Sequence, residues 1–190
     1  MKIHPFPGGY YLGALSLLES DPLVIYSARH ISAAAILECE QLVAGLAHCG
    51  MVLAGGWQSP LEKRLFRKVA QVPSSKLIHV LAKSMEFYRP DEIAGRLIEQ
   101  NRLLVLAPVL PNRRVSRAGV EERDRWIRST IQKYLFCFLD PDGYTSILLQ
   151  KALDHNKEVL IFDHPHNTGF IDQEVIGVNV QNWMEVLDVG

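Results

Sequence analysis

Short apolar runs alternate along this chain with longer stretches in which apolar side chains recur every three or four positions. The runs are Leu23–Tyr26, Met51–Ala54, Leu77–Ala82, Leu103–Ala107, Leu135–Leu139 and Val159–Phe162. Nearly every position in them is apolar, the pattern of strands buried on both faces of a parallel sheet. Between them the period changes. Ile31, Ala35, Cys39, Leu42 and Leu46 fall on one helical face, with Ser32 placed to cap its start and Gly50 to end it. Ser59-Pro60-Leu61-Glu62 reads as a capping box with proline in the first turn, and Leu61, Leu65 and Val69 form the stripe behind it. Asp91 opens a third helix with Ile93, Leu97 and Ile98 inward. A fourth is expected from about Ser116 to Tyr134, striped by Val120, Ile127, Ile131 and Tyr134. The fifth follows Gly143, with Ile147, Leu148 and Ala152 facing in.

Strand and helix in regular alternation predict a doubly wound α/β fold, a mostly parallel Rossmann-like sheet in three αβα layers. The expected organisation is a single domain over 1–190, with an N-terminal arm over 1–22, a core over 23–165 and a C-terminal appendage over 166–190. The segment carries Pro5, Pro7 and paired tyrosines and reads as an arm or short helix packed on the core. The appendage holds a weak strand at Val175–Val180 and a short helical end. Ligands of such sheets bind beyond the carboxyl ends of the strands, where strand order reverses. Leu23–Tyr26 and Leu135–Leu139 are therefore expected to be central and adjacent. The nominated loops are Ser27–His30, Gly55–Ser59, Pro108–Arg117 and Asp140–Thr145.

Composition narrows the class further. The 190 residues are 48% hydrophobic and 22% charged, with a net charge of -1. That balance excludes general disorder and excludes a molecule that attracts polyanions by bulk charge. Cys39, Cys49 and Cys137 are odd in number and form no Cys-x-x-Cys, so buried thiols in a cytoplasmic, soluble protein are expected. No apolar run has the length of a membrane span. His164 and His166 flank Pro165, but no third ligand accompanies them, and neither a metal nor a cofactor is expected.

Candidate chemistry lies in the nominated loops. Gly55-Gly56-Trp57-Gln58-Ser59 follows a strand and opens a helix; it is either a phosphate cradle built on free N–H groups or a tight βα turn. Arg29, just past the first strand, has the position to fork onto a phosphate, or is a surface arginine. Pro111 to Lys133 carries an excess of four positive charges. Within it Arg123 lies three residues after Val120 and four before Ile127, on the buried side of the helix. The spacing provides it no partner in Glu121 or Asp124, so a binding or site-organising role is expected. Asp140, Gly143 and Thr145 form a turn with the option of ribose or phosphate contacts. Trp57 and Tyr144 are stacking candidates for a base, or packing residues.

These elements in this order resemble the core of the DNA-processing protein A family over about residues 23–165. Tyr26-Ser27-Ala28-Arg29 is similar to its Val-Gly-Ser-Arg, Ala54-Gly55 to its Ser-Gly turn, and Arg123-Asp124-Arg125-Trp126-Ile127 to its Arg-Asn-Arg-Ile-Ile. Ala152-Leu153-Asp154-His155-Asn156-Lys157-Glu158-Val159 is similar to its Ala-Leu-Glu-x-Gly-Arg-Glu-Val. Gln58-Ser59-Pro60-Leu61-Glu62 replaces the family's Gly-Ile-Asp and Ala-His elements. The resemblance implies a non-enzymatic protein that binds single-stranded DNA or nucleotide phosphates in DNA uptake and recombination, often as a homodimer. It implies phosphate contacts from Ser27, Arg29, Gly55, Gly56, Arg123 and Arg125. The same superfamily contains the Lonely-guy phosphoribohydrolases, whose Pro-Gly-Gly-Tyr-Gly-Thr resembles Asp140-Pro141-Asp142-Gly143-Tyr144-Thr145. Their acid/base glutamate is expected where this chain has Leu148 and Leu149, which favours a binder over a hydrolase. A hydrolase and a small-nucleotide sensor are the alternatives.

Overall fold

A computed structural model describes residues 2–29, 31, 33–108, 112–171 and 175–188. In chain order its elements begin with β1 (His4–Phe6), β2 (Gly9–Gly13), a 3-10 turn at Leu15–Glu19 and β3 (Leu23–Ser27). They continue with α1 (Ala33–His48), β4 (Val52–Gly55), α2 (Pro60–Ala70), β5 (Lys76–Val80) and α3 (Glu92–Glu99). The second half holds β6 (Leu103–Pro108), α4 (Arg117–Thr130), β7 (Lys133–Phe138), α5 (Tyr144–Leu153), β8 (Glu158–Phe162), β9 (Ile176–Val178) and α6 (Trp183–Val186). The strands form one sheet in the order β1-β2-β6-β5-β4-β3-β7-β8-β9. All pairings from β6 to β9 are parallel. α1, α2, α3 and α6 cover one face and α4 and α5 the other, giving three layers.

β3 lies between β4 and β7, and β7 between β3 and β8, so the two strands expected at the centre are central and adjacent. Strand order reverses between them. From β3 the chain steps outward through β4, β5 and β6, then returns through α4 to β7 on the other side of β3.

Three expectations are corrected. Residues 1–22 are not merely an arm: β1 and β2 form a hairpin that adds antiparallel to β6. Pro7-Gly8 makes its turn, with Gly8 at φ 89°. A Cβ at Gly9 would lie 2.2 Å from the Ala107 carbonyl oxygen, so glycine lets β2 close onto β6. The fourth helix ends at Thr130 rather than Tyr134. Ile131 is already extended at φ -104°, ψ 139°, and Tyr134 pairs with Val24 and Val159 inside the sheet. Ladder bonding and stacking on Tyr26 and Phe136 outweigh the helical period there. In α5, Ile147 is 51% exposed, and the inward stripe is Thr145, Leu148, Leu149 and Ala152. The expected Ser32 cap and His30 lie outside the described residues. Gly50 sits at φ 80° past the end of α1, and Asp91 and Ser116 cap α3 and α4.

Candidate anion-binding cleft

The carboxyl ends of β3 and β7 open into a cleft of about 680 Å³. Its walls come from the segments after β3, β4 and β7 and from the first two turns of α4. Ser27, Arg29, Gln58, Arg123, Asp140 and Thr145, all nominated by the sequence, line it.

Arg123 reaches this cleft because α4 docks through a stripe of Gly119, Arg123 and Ile127 at four-residue spacing. A Cβ at Gly119 would stand 2.3 Å from the Ala82 carbonyl oxygen, so glycine brings the first turn of α4 down onto the segment that follows β5. Arg123 is 5% exposed. Its guanidinium donates from Nε and Nη2 to Asp124 at 2.8 and 3.0 Å, against the expectation that Asp124 was no partner. Neighbours on a helix do meet when both side chains bend over the same edge of the sheet, which the linear spacing does not reveal. Asp124 also accepts the hydroxyls of Tyr26 at 3.0 Å and Tyr144 at 2.9 Å. This buried carboxylate is thus the hub of a network tying β3, α4 and α5. Burial alone would lower the Arg123 pKa, but Asp124 outweighs it and holds the guanidinium more firmly protonated than usual. Burial and then Asp124 push the Tyr26 hydroxyl well up, so it stays a donor.

The third guanidinium nitrogen, Nη1, is buried and has no hydrogen-bond partner among the described residues. It lies against Gly56, where an added Cβ would be 2.2 Å away. Gly56 is thus glycine to admit the arginine, a reason the sequence reading of a phosphate cradle did not contain.

The turn between β4 and α2 is built around Glu62. One oxygen accepts the Ser27 N–H at 3.1 Å, and the other accepts the N–H groups of Gln58 at 2.7 Å and Ser59 at 3.3 Å. The Ser59 hydroxyl accepts the Glu62 N–H at 3.2 Å, completing the capping box. Two of the N–H groups that a phosphate cradle would offer here are therefore occupied by the protein's own carboxylate. Burial raises the Glu62 pKa, opposed by these N–H donors and by the Arg123 charge. Trp57 sits at φ 51°, an unusual backbone for an aromatic residue, and its Nε1 donates to the Ile78 carbonyl at 2.9 Å. At 5% exposure its ring is a packing element and not a base-stacking platform. By contrast α5 starts at Gly143 with no side-chain cap, so its first N–H groups are left for solvent or an anion beside Tyr144 and Thr145.

The remaining nominated residues divide. Gly55 is inside β4, packed on the Ile25 carbonyl and the Trp57 ring. Gly143 closes the turn over Asp140, whose N–H bonds the Thr145 hydroxyl at 3.1 Å. Arg125 is not brought to the cleft; it faces solvent and pairs with Glu122. Asp124 and Tyr26 are the site residues the sequence reading missed. The Arg123-Asp124 dipeptide was visible, but its closure onto Tyr26 requires the adjacency of β3 and α4. Among the described residues no group of three His, Cys, Asp or Glu is arranged to hold a metal. No described helix is long and apolar enough to cross a membrane.

Neither a protein-family model nor a curated protein sequence matches the chain. Solved structures do. DNA processing protein A of Streptococcus pneumoniae superposes with a TM-score of 0.76 at 17% identity, over 93% of this chain and 65% of its own. The chain thus spans just under two thirds of the pneumococcal protein. The Helicobacter pylori DNA processing protein A, described for its single-stranded DNA binding mode, superposes with a TM-score of 0.76 at 17% identity, over 95% of this chain and 87% of its own. The molybdenum cofactor binding protein of Rippkaea orientalis superposes with a TM-score of 0.61 at 14% identity, over 88% and 96%. The chain therefore has the Rossmann-like fold shared by DNA processing protein A and the molybdenum cofactor carriers.

Proposed function

We propose that the protein binds single-stranded DNA or nucleotide phosphates at this cleft without catalysing their hydrolysis. The observation that carries the reading is Arg123. A buried cation held in place by Asp124 stands at the floor of the opening at the switch point of the sheet, with its unpartnered Nη1 turned against Gly56. Arg29 and the uncapped start of α5 flank it, so donors from three elements meet at the cleft beside the carboxylates of Glu62, Glu121 and Asp140. The single-stranded DNA bound by the Helicobacter pylori neighbour supports the choice of ligand. Action as a homodimer in the cytoplasm, during DNA uptake and recombination, belongs to the same reading and rests on the likeness of fold.

Two observations favour binding over glycosidic hydrolysis. Leu148 and Leu149 are buried aliphatic residues where a hydrolase would need its carboxylate. The Glu62 oxygens are already committed to three backbone N–H groups. Fluorescence anisotropy with a labelled oligothymidylate tests the reading, paired with a free-base assay on adenosine monophosphate. Arg29→Ala, on the exposed rim, should weaken binding about tenfold at unchanged melting temperature. Arg123→Ala should abolish binding and also lower stability. Undiminished binding in both variants refutes the site, and free base released at about 1 per second or faster refutes the binder reading.

A further inference from the structure

The carboxylate of Glu62 draws donors from two separate ligand loops. One oxygen takes the Ser27 N–H at 3.1 Å, from the end of β3. The other takes the Gln58 N–H at 2.7 Å and the Ser59 N–H at 3.3 Å, from the turn after β4. The acid of a capping box reaches back to the N-cap N–H alone. Here that bond, to Ser59, is the longest of the three, and the two shorter ones come from outside the helix. α2 keeps a cap of its own besides: the Ser59 hydroxyl accepts the Glu62 N–H at 3.2 Å, a bond in which the carboxylate takes no part.

Three backbone N–H groups directed at one point are a donor set that proteins offer to bound anions. Charge supports the same reading. The Arg123 guanidinium of α4, fixed by Asp124, favours a negative charge in this seat. Cys137 of β7 faces it as a neutral thiol, pushed well up by its hydrogen bond to Cys39 and by burial. Glu62 lines the cleft at 6% exposure and takes up donors that would otherwise be offered to a ligand there. It is also a like charge for any anion arriving beside Arg29 and the start of α5. Burial raises its pKa against the N–H donors and Arg123, so its charged form is held at a cost.

We infer that Glu62 is a built-in competitor of the ligand: it fills an anion seat formed by the loops after β3 and β4, and a ligand phosphate enters that seat by displacing the carboxylate, which takes up one proton. This rests on the proposed binding of phosphates at the cleft and adds a regulation to it. A protonated Glu62 accepts the N–H groups weakly and repels no anion. Arg123 keeps its proton and Cys137 stays neutral from about pH 7.5 to 5, so among these groups only Glu62 changes charge.

Anisotropy with labelled oligothymidylate over that pH range tests the competition, because a phosphodiester keeps its single charge throughout. Affinity for the unaltered protein should rise as pH falls, by at most about tenfold per pH unit, the limit for uptake of one proton. Glu62→Gln cannot take up that proton. Its profile should be shallower, following only the histidines and the cleft carboxylates Glu121 and Asp140 that both proteins share. A second arm needs no nucleotide. Glu62→Ala removes a methylene and a carboxylate, which acetate resupplies. At neutral pH, acetate in place of chloride at equal ionic strength should raise the melting temperature of Glu62→Ala by about 2–4 °C. The unaltered protein should not respond. Parallel pH profiles, or a Glu62→Ala indifferent to acetate, overturn the seat. If Glu62→Ala does not fold, a flat profile in the unaltered protein overturns it alone. Oligothymidylate that binds at no pH refutes the proposed function instead, and the acetate response then decides the seat by itself.

Discussion

At the scale of single residues, Gly56 and Arg123 define each other. The guanidinium occupies the space that any side chain at position 56 would take, with Nη1 2.2 Å from an added Cβ. Gly56→Ala should expel the arginine from its seat against the turn. We expect a loss of about 1–3 kcal/mol, the range for overpacking a filled site, together with loss of ligand binding. Chemical denaturation and anisotropy on the same variant check it, and intact binding would show that Arg123 has another productive position. His79 offers a second residue-level expectation. Its pKa is lowered to about 4, by burial first and by Arg123 next. The unfolded chain holds a proton at this ring below its ordinary value of about 6.5, whereas the folded protein does not. Stability is therefore complete above pH 6.5 and is lost as pH falls toward 4. The upper bound is about 3 kcal/mol, reduced by the solvent reaching a half-buried ring. Melting temperatures of the unaltered protein should fall between these pH values more steeply than those of His79→Gln; parallel curves would contradict the assignment.

At the scale of elements, α2 is the best-defined local unit. Its cap, its first-turn proline and its apolar stripe all agree, and the carboxylate of its capping box also fixes the Ser27 N–H at the end of β3. A device that normally closes a helix here joins two ligand loops. Ser59→Ala should cost about 1 kcal/mol, the usual worth of such a cap. Glu62→Gln should cost more, because the amide nitrogen that replaces one oxygen cannot accept the N–H groups directed at it. Denaturant midpoints would show the order, and a cheaper loss at Glu62 than at Ser59 would mean that its contact to β3 contributes nothing.

At the scale of the whole molecule, the N-terminal hairpin closes one side of the sheet. β2 pairs with β6 along Gly9 to Gly13, covering backbone groups of a strand whose six residues are all buried. Deleting residues 1–14 would leave that apolar edge open to pairing with a second copy. The deletion variant should self-associate in light scattering at concentrations where the intact chain does not. A monodisperse deletion variant would show that β6 needs no cover. The ligand loops lie at the strand ends, away from this edge, and nucleotide binding by any monomeric fraction should persist.

What the sequence determined by itself is the alternation of buried strands and capped helices, and from it the layered sheet and the loops where ligands gather. That information is local: runs of Leu, Val and Ile, the Ser59-Pro60-Leu61-Glu62 box, and glycine after α1 each act through their own neighbours in the chain. Arg123 was also legible, as a charge on a buried stripe. The hairpin had a readable turn in Pro7-Gly8, but its partner β6 lies about a hundred residues on, and only packing selects it. The Asp124 hub, the seat of Arg123 on Gly56 and the bond from Ser27 to Glu62 were decided by tertiary structure alone. Each depends on groups from separate strands and helices meeting at the ends of the sheet, and the energy of a buried charge is set by what surrounds it in space rather than by what precedes it in the chain.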